Sequence, residues 1–186
     1  MLGLRKGEVT LKKHNFLWKY AYKIESIKIK KTLKNNNFEI EHIGSTAIKH
    51  CYAKPIIDIM IAVEKLEYGK TFLSSLEKIG YTYVVDKGFG VRYFLKKVIK
   101  GKTKFHLHIV EKNSRIWQNQ HYLKMYLNHN RELAEKYSIL KINLARNFKN
   151  DRSKYTLEKA PFIEKILTLA FKEYDVTPSE KYNIVF

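Results

Sequence analysis

An aspartate stands in the middle of the most apolar segment of this 186-residue chain. The segment reads Pro55-Ile56-Ile57-Asp58-Ile59-Met60-Ile61-Ala62-Val63, and every side chain in it except that of Asp58 is apolar. Near-continuous apolar runs of this length are typical of strands that are buried on both faces of a sheet. Because a carboxylate is costly to bury unless it is paired or bound to a metal ion, Asp58 marks a place where the sheet meets a partner group or a ligand.

A glycine-serine turn comes shortly before this strand. An alternating strand over residues 38–43 ends at Gly44-Ser45-Thr46, where a short helix begins, and Asp58 follows Thr46 by twelve residues. Glycine lets the backbone approach a ligand closely, and the N–H groups at a helix N-terminus suit a phosphate. The hydroxyl of Ser45 adds a further donor. The pattern therefore predicts a phosphate-binding turn close to a buried carboxylate.

The rest of the chain predicts an α/β (α+β) fold. Apolar spacing indicates helices over 15–34, 66–79, 114–128, 131–148 and 153–174, and strands over 38–43, 56–63, 81–85, 89–98 and 104–110. We expect the stripe of Leu17, Ala21, Ile24 and Ile27 to face the core, and Asn150 or Asp151 to cap the last helix. Residues 1–112 then form a mixed-sheet core with an N-terminal helix. Residues 113–186 form a C-terminal helical bundle that packs on this core as one unit.

The charge of the chain is strongly positive. Lys and Arg number 36 against 18 Asp and Glu, which gives a formal net charge of +18. Lysines outnumber arginines about five to one and are spread along the sequence, so both a solvated basic surface and a nucleic-acid-binding face remain open. No run approaches the ~20 apolar residues of a membrane span, and no signal peptide is evident at the N-terminus. Because Cys51 is the single cysteine, we expect no disulfide bond within the chain. We also expect a cytoplasmic protein that does not associate with a membrane.

Several separated motifs together resemble the GrpB family, which is similar to the nucleotidyltransferase superfamily of the DNA polymerase β type. Gly44-Ser45 followed by Asp58 matches the superfamily pattern of Gly-Ser and a later acidic strand. The narrower family resemblance covers roughly residues 15–172 and rests on His42-Ile43-Gly44-Ser45-Thr46, Ala53-Lys54-Pro55-Ile56-Ile57-Asp58-Ile59, Phe105-His106-Leu107-His108, Tyr137-Ser138-Ile139-Leu140-Lys141 and Tyr155-Thr156-Leu157-Glu158-Lys159. The resemblance implies a nucleotidyltransferase-like fold with a nucleotide- or phosphate-binding cleft.

The chain departs from active nucleotidyltransferases in its acidic residues. Those enzymes hold two metal ions between an Asp-x-Asp pair and a carboxylate on a third strand. Here Met60 stands at the second position of the pair, and a thioether is a poor ligand for Mg²⁺. The third-strand position falls in His106-Leu107-His108, where imidazoles replace a carboxylate. The usual two-metal centre is therefore not rebuilt by these residues.

Strand parity suggests a different site. Residues two apart on a strand share a face, so His106 and His108 point the same way, and His42 shares a face with Gly44. If the three strands are neighbours, we expect His42, Asp58, His106 and His108 to converge beside Ser45. Such a group can hold a divalent metal (Mg, Mn or Zn) or act as acid and base on a phosphate ester through Asp58, His106 and His108. A hydrogen-bonded histidine network around Asp58, without metal, is the alternative.

Four cations are candidates for the wall of the cleft, beside Gly44, Ser45 and Thr46. They are Lys54, Arg92, Lys141 and Lys159, and each is also compatible with an exposed or snorkelling position. We expect the partner to be a nucleotide or phosphorylated small molecule, with nucleic acid as a further possibility. Two other functions remain open. One is an active nucleotidyltransferase acting on a small molecule or RNA, which needs a carboxylate from Glu41, Glu64 or Glu111; the other is a non-catalytic RNA- or protein-binding module.

Overall fold

The computed structural model of the chain describes residues 2–34, 37–85, 91–149 and 151–180. Within them, the strands are β1 (Glu39–Ile43), β2 (Ile57–Val63), β3 (Tyr81–Val84), β4 (Arg92–Ile99) and β5 (Lys102–Glu111). The helices are α1 (Leu17–Leu33), α2 (Leu66–Lys70), α3 (Leu73–Glu77), α4 (Arg115–His129), α5 (Arg131–Asn147), α6 (Arg152–Leu157) and α7 (Ala160–Glu173). A single 3₁₀ turn, Ser45–Ala47, follows β1. The α/β class is confirmed.

The five strands form one mixed sheet in the order β1-β2-β5-β4-β3. Strands β2 and β5 are parallel, whereas the other three neighbouring pairs are antiparallel. Strand β2 therefore has a neighbour on each side, and Ile57, Ile59 and Ile61 on one of its faces are completely buried. The apolar run around Asp58 is explained by this interior position.

The hairpin between β4 and β5 is tighter than the sequence indicates. Lys100 and Gly101 connect the strands and have φ values of 52° and 70°. Two positive φ values in a two-residue connection are the geometry of a type I′ turn, which suits the right-handed twist of a hairpin. The strands therefore include three of the five residues, 99–103, that were predicted to form the loop. The predicted start of β4 at Phe89 lies outside the described residues.

Helix α1 forms as predicted but buries a different face. The predicted core residues Leu17 and Ile24 are 55% and 70% exposed. The helix instead buries Trp18 and Ile29 together with Glu25, whose carboxylate accepts a 2.7 Å hydrogen bond from Nζ of Lys97 on β4. The stripe prediction is wrong because this pairing allows a charged residue to occupy a core position, which an apolar count does not foresee.

The C-terminal segment over 153–174 forms two helices instead of one. Pro161, in the first turn of α7, has no backbone N–H to continue a helix from α6. The predicted helix is therefore interrupted between Leu157 and Ala160. Oδ1 of Asp151 accepts a 2.9 Å bond from the Lys154 N–H and caps α6, whereas the alternative cap at residue 150 lies outside the described residues. The helix predicted over 66–79 likewise forms as α2 and α3.

Two apolar cores meet at the segment between the 3₁₀ turn and β2. One core lies between the sheet and helices α1 and α3, and the other lies among α4, α5 and α7. Ile48 and Cys51 belong to the second core, and the N–H of Tyr52 donates to Oγ of Ser138 on α5 at 2.9 Å. The segment that leads into β2 is therefore held against the C-terminal helices, which brings α5 and α6 close to Asp58.

Candidate phosphate-binding cleft

The central contact of the candidate site joins two adjacent strands. Asp58 on β2 lies directly opposite His106 on β5, and Nδ1 of His106 donates to Oδ1 of Asp58 at 2.9 Å. The side chains are 27% and 13% exposed, respectively. Burial raises the pKa of Asp58, but the hydrogen bond and charge of His106 outweigh it, so the pKa lies below the usual value. The ionised carboxylate thus orients the imidazole of His106, and in the neutral form of this ring Nε2 would be the acceptor.

Gly44 lies directly against this carboxylate. Its backbone has φ 68° and ψ −175°, a region that essentially only glycine occupies. A Cβ at this position would lie 2.6 Å from Oδ2 of Asp58. The glycine of the Gly-Ser motif is therefore required twice, once by the turn and once by the close approach of the turn to Asp58.

A cavity of about 170 Å³ opens beside the Asp58–His106 pair. It brings together residues of the sheet, of the Gly-Ser turn and of helices α5 and α6, seven of them predicted site residues. Its lining residues are Ser45, Thr46, Lys54, Ile56, Asp58, His106, Lys141, Tyr155, Thr156 and Lys159. We call this cavity the cleft. The three lining residues outside the predicted site are Ile56, Tyr155 and Thr156, and the neutral side chains of Ile56 and Thr156 give no sequence signal for a binding site.

Helix α6 contributes an aromatic surface under two ammonium groups. The ring of Tyr155 is only 2% exposed. Nζ of Lys54 lies 4.3 Å from the ring centroid and Nζ of Lys159 lies 4.9 Å from it. Cation–π contacts at these distances are favourable, so Tyr155 fixes both lysines at the cleft. The Tyr-x-x-x-Lys spacing is the sequence signal for this arrangement.

Helix α5 supplies the equivalent pair, Tyr137 and Lys141, in a more buried position. Lys141 is 2% exposed, and its Nζ donates to the carbonyl of Tyr52 and to Sγ of Cys51, the latter at 3.0 Å. The same Nζ lies 4.2 Å from the Tyr137 ring. Burial lowers the pKa of Lys141 although Cys51 opposes this effect. The Ser45 side chain lies close enough to Tyr137 to affect the pKa of its hydroxyl, so the serine of the Gly-Ser turn lies next to α5.

His42 does not join this group, and the prediction that it converges with Asp58 is wrong. In the register of β1 and β2, His42 lies opposite Ile59, whereas Ile43 lies opposite Asp58. His42 therefore points to the other face of the sheet, where its Nε2 is 3.0 Å from Oγ1 of Thr46. Parity relates residues within one strand, but the register between strands is set by tertiary structure and is not contained in a parity argument.

His108 and Arg92 share the face of Asp58 but do not line the cleft. His108 lies two residues beyond His106 on β5, opposite Met60 and Phe94. Arg92 on β4 lies opposite Val110, two residues further along β5. Burial, followed by the charge of Arg92, lowers the pKa of His108 to about 3. His108 is thus a neutral residue next to the site, and of the three residues predicted to be catalytic, Asp58 and His106 line the cleft.

The predicted metal ligands are only partly brought together in the part of the chain that the structure describes. Among the described residues, no group of three or more His, Cys, Asp and Glu side chains is arranged to hold a metal ion. Asp58 and His106 supply two donors, which is fewer than the three protein ligands of catalytic zinc sites. Of the four predicted ligands, Asp58, His106 and His108 share one face of the sheet, whereas His42 lies on the opposite face.

The three candidate carboxylates for an active nucleotidyltransferase lie away from the cleft. Glu41 faces α4, where it accepts hydrogen bonds from His121 at 3.0 Å and from Lys124. The side chain of Glu111 accepts from the Leu66 N–H at 3.3 Å, and Glu64 is exposed beyond the end of β2. The Glu41 pairing with α4 was not expected from sequence, because residues 80 or more positions apart give no local pattern.

Comparison with known proteins places the chain in a family. The family model described as "GrpB protein" matches residues 8–169. The chain belongs to the GrpB family. It is 37% identical to the glutamate-rich protein GrpB of Alkalihalophilus pseudofirmus over 174 residues. This alignment covers 90% of this chain and 98% of that protein. The crystal structure of the conserved protein GrpB from Enterococcus faecalis matches with a TM-score of 0.80 and 32% identity, over 89% of this chain and 99% of that one.

More distant structures define the fold of this GrpB-family chain. A structure of the Cid1 poly(U) polymerase, an H336N mutant bound to MgATP, matches with a TM-score of 0.57 at 15% identity, over 78% of this chain and 50% of that one. Terminal uridylyl transferase 4 from Trypanosoma brucei, with bound dUTP, gives a TM-score of 0.54 at 8% identity, over 89% and 56%. The predicted nucleotidyltransferase-like fold is confirmed. At these identities the likeness concerns the fold alone.

Proposed function

We propose that the cleft binds the phosphate portion of a nucleotide or another phosphorylated small molecule. The observation that supports this most strongly is the convergence of Lys54, Lys141 and Lys159 with Ser45 on one small cavity. Asp58 is the one acidic side chain among the described lining residues. Positive groups in a confined cavity with low-dielectric walls concentrate anionic ligands. The Gly44–Ser45 turn would add a hydroxyl to the same site.

The size of the cleft defines which part of a ligand it would hold. Small-molecule sites usually measure roughly 300–1,000 Å³, whereas this cavity measures about 170 Å³. A phosphate group fits such a space and a whole nucleotide does not. The sugar and base would therefore extend out of the cleft, so we expect a stronger requirement for the phosphate than for a particular base.

The Asp58–His106 pair gives the cleft a means of moving a proton. With Nδ1 donating to Asp58, Nε2 of His106 is free to accept a proton from a hydroxyl group or a water molecule. The ionised Asp58 stabilises the imidazolium that forms. This role needs no further carboxylate, and it is compatible with several reactions on a phosphate ester.

Nucleotidyl transfer onto a small hydroxyl compound or RNA is the second candidate function. The observation in its favour is the fold shared with Cid1 and terminal uridylyl transferase 4. In this candidate, His106 would accept the proton of the attacking hydroxyl. The absence of a carboxylate at Met60 makes phosphate binding without ordinary two-metal transfer the better-supported function.

Thermal unfolding tests phosphate binding. The midpoint is measured with inorganic pyrophosphate and with ATP, GTP, CTP and UTP, each alone and with Mg²⁺, Mn²⁺ or Zn²⁺. A ligand that binds only the folded state raises the midpoint as its concentration increases. We expect the midpoint to rise with the wild type and with Lys165→Gln, which changes an exposed lysine on α7. With Lys159→Gln, the apparent affinity obtained from the concentration dependence of the midpoint should be at least fivefold weaker. Absence of any shift, or equal shifts in both variants, contradicts the proposal.

We also propose that the protein acts in the cytoplasm. Cys51 is a free, completely buried thiol that accepts a hydrogen bond from Lys141, which suits a reducing compartment. Separately, none of the helices in the described part of the chain has the length and apolar character needed to cross a membrane. Cell fractionation with an antibody to the native protein tests the compartment.

A further inference from the structure

A second and larger cavity lies on the other side of the Gly-Ser turn. It measures about 800 Å³ and is bordered by the segment before α1, the first two turns of α1, the chain from His42 to His50 and helix α4. Among the described residues, Thr46 alone borders both this cavity and the cleft. We call it the basic groove, because of the side chains described next.

The groove carries a concentration of positive charge. Lys13, Lys19, Lys23 and Lys49 line it and are exposed, while a fifth lysine in its wall is paired with Glu41. None of its described lining residues is acidic, and the sequence from residue 9 to residue 24 contains no Asp or Glu. The four exposed lysines therefore have no carboxylate beside them in the groove, which favours an anionic ligand.

His14 lies in the groove in a partly buried position near other positive groups. The pKa of His14 is lowered, first by burial and then by the charges of His50 and Lys49. The nearby positive groups thus oppose a further proton on His14, in agreement with the excess of lysines in the groove.

Aromatic rings accompany these charges. Phe16 borders the groove and is 67% exposed, which is unusual for so large an apolar side chain. Tyr20, which is 56% exposed, lies edge-on to it with ring centroids 6.1 Å apart. Deeper in the groove, Tyr22 stacks on His42 at 4.9 Å with the rings nearly parallel. Exposed rings next to a basic track are the combination that binds unpaired bases, since each base has a face to stack.

We propose that the basic groove binds single-stranded nucleic acid. The lysines contact the phosphates, and Phe16 with Tyr20 stacks on unpaired bases. A duplex keeps its bases inside the helix and gains nothing from these rings, and an acidic peptide offers no comparable flat surface. A free mononucleotide contacts too few of the four lysines to use the length of the groove. This site is separate from the cleft and does not rest on the function proposed there.

The charge component is tested by fluorescence anisotropy of a fluorescein-labelled twelve-nucleotide U strand at several salt concentrations. We expect the logarithm of the affinity to fall linearly with the logarithm of salt, because phosphate contacts release counterions. Lys19→Glu/Lys23→Glu should weaken binding at least tenfold. The matched control Lys100→Glu/Lys165→Glu changes the net charge equally at exposed positions in the β4–β5 turn and on α7, and should weaken it less than threefold. A flat salt dependence, or equal losses in the two double variants, overturns the proposal.

The base component is tested with Phe16→Ala. Loss of one stacking ring should weaken the U strand about fivefold or more while the salt slope stays unchanged. It should leave the affinity for a twelve-base-pair duplex within twofold. Equal effects on strand and duplex, no effect on either, or displacement of the strand by equimolar UTP would each overturn the proposal. Asp58→Asn should bind the strand normally, so a failure of the cleft is distinguishable from a failure of the groove. Circular dichroism verifies that each variant is folded.

Discussion

Gly44 and Asp58 show at the scale of single residues how a turn and a strand form one site. The backbone of Gly44 adopts a conformation restricted to glycine, and the place of its missing side chain is filled by the Asp58 carboxylate. His106 then holds that carboxylate from the other side. The geometry of the Asp58–His106 pair therefore depends on a residue that has no side chain.

Substitution of Gly44 by alanine should be strongly destabilising. The new Cβ would meet Oδ2 of Asp58 at 2.6 Å in a backbone region that costs a non-glycine residue roughly 1–3 kcal/mol by itself. We expect Gly44→Ala to lose about 3 kcal/mol or more in urea unfolding. Gly101→Ala is the matched control, since its φ is +70° but no atom lies within 4 Å of a Cβ there, and it should lose about 1–2 kcal/mol. Equal losses would contradict the role of the Asp58 contact.

His42 should make stability depend on pH. Burial lowers its pKa to about 4, from about 6.5 in an unfolded chain. The unfolded state therefore binds a proton that the folded state does not bind, and stability present above pH 6.5 is lost as the pH falls towards 4. His42→Gln should reduce the slope of unfolding free energy against pH in this window by up to about 1.4 kcal/mol per pH unit.

The control for this pH measurement is Asn143→Gln, which changes an exposed, uncharged side chain on α5. We expect its pH slope between 6.5 and 4 to match that of the wild type. A His42→Gln variant with the wild-type slope would contradict this account, because it would show that His42 binds protons equally in the folded and unfolded states.

At the residue scale, the types and spacing of residues indicated the site, but predictions that depended on the register between strands were wrong. Asp58 and Ser45 could be predicted, because a carboxylate in an apolar strand and a Gly-Ser turn are local patterns. Lys141 and Lys159 were indicated by the resemblance of their Tyr-x-x-x-Lys motifs to the GrpB family. The position of His42 could not, since one residue of register between β1 and β2 decides which face it occupies.

At the scale of elements, one buried ion pair joins helix α1 to strand β4. Glu25 and Lys97 are each 8% exposed in their side chains and lie 2.7 Å apart. This pair explains why α1 buries Glu25 while Leu17 and Ile24 face outward. Hydrophobic periodicity predicted the existence of α1 correctly, but its orientation depended on a partner 72 residues away in sequence.

Breaking this pair should cost more than replacing it. Lys97→Met leaves a buried, unpaired carboxylate and should destabilise the protein by about 3–5 kcal/mol. Glu25→Leu/Lys97→Met replaces both charges by apolar groups and should lie within about 2 kcal/mol of wild type. Urea unfolding of wild type and of the single and double variants gives the coupling energy. Additive losses in the double variant would contradict a direct interaction.

At the scale of the whole molecule, the two cores are tied together near the site. Ile48 and Cys51 pack among the C-terminal helices, and Ser138 on α5 accepts the Tyr52 N–H just before β2. We therefore expect the sheet and the C-terminal helices to unfold as one unit. Native-state hydrogen exchange should give β5 and α5 the same highest opening free energy, and Ser138→Ala should lower both equally. Opening of α5 at a clearly lower free energy than β5 would contradict this.

The distribution of charge could not be read from the sequence at this scale. The net charge of +18 indicated an anionic partner without indicating where it binds. The basic groove forms because residues 13–23, 42–50 and 124–128 come together in the fold. The cleft likewise joins lysines from positions 54, 141 and 159. Local patterns identify candidate residues, but only packing shows which of the lysines share a surface.

The most direct test of the account is a crystal structure of the protein soaked with tungstate, a phosphate-like anion that is identified by its anomalous scattering. We predict an anomalous peak in the cleft, within hydrogen-bond distance of the Ser45 hydroxyl and of Nζ of Lys159. The peak should be absent from crystals of Lys159→Gln grown and soaked in the same way. Tungstate bound elsewhere on the protein, with none in the cleft of the wild type, would contradict a phosphate-binding role for the residues around Asp58.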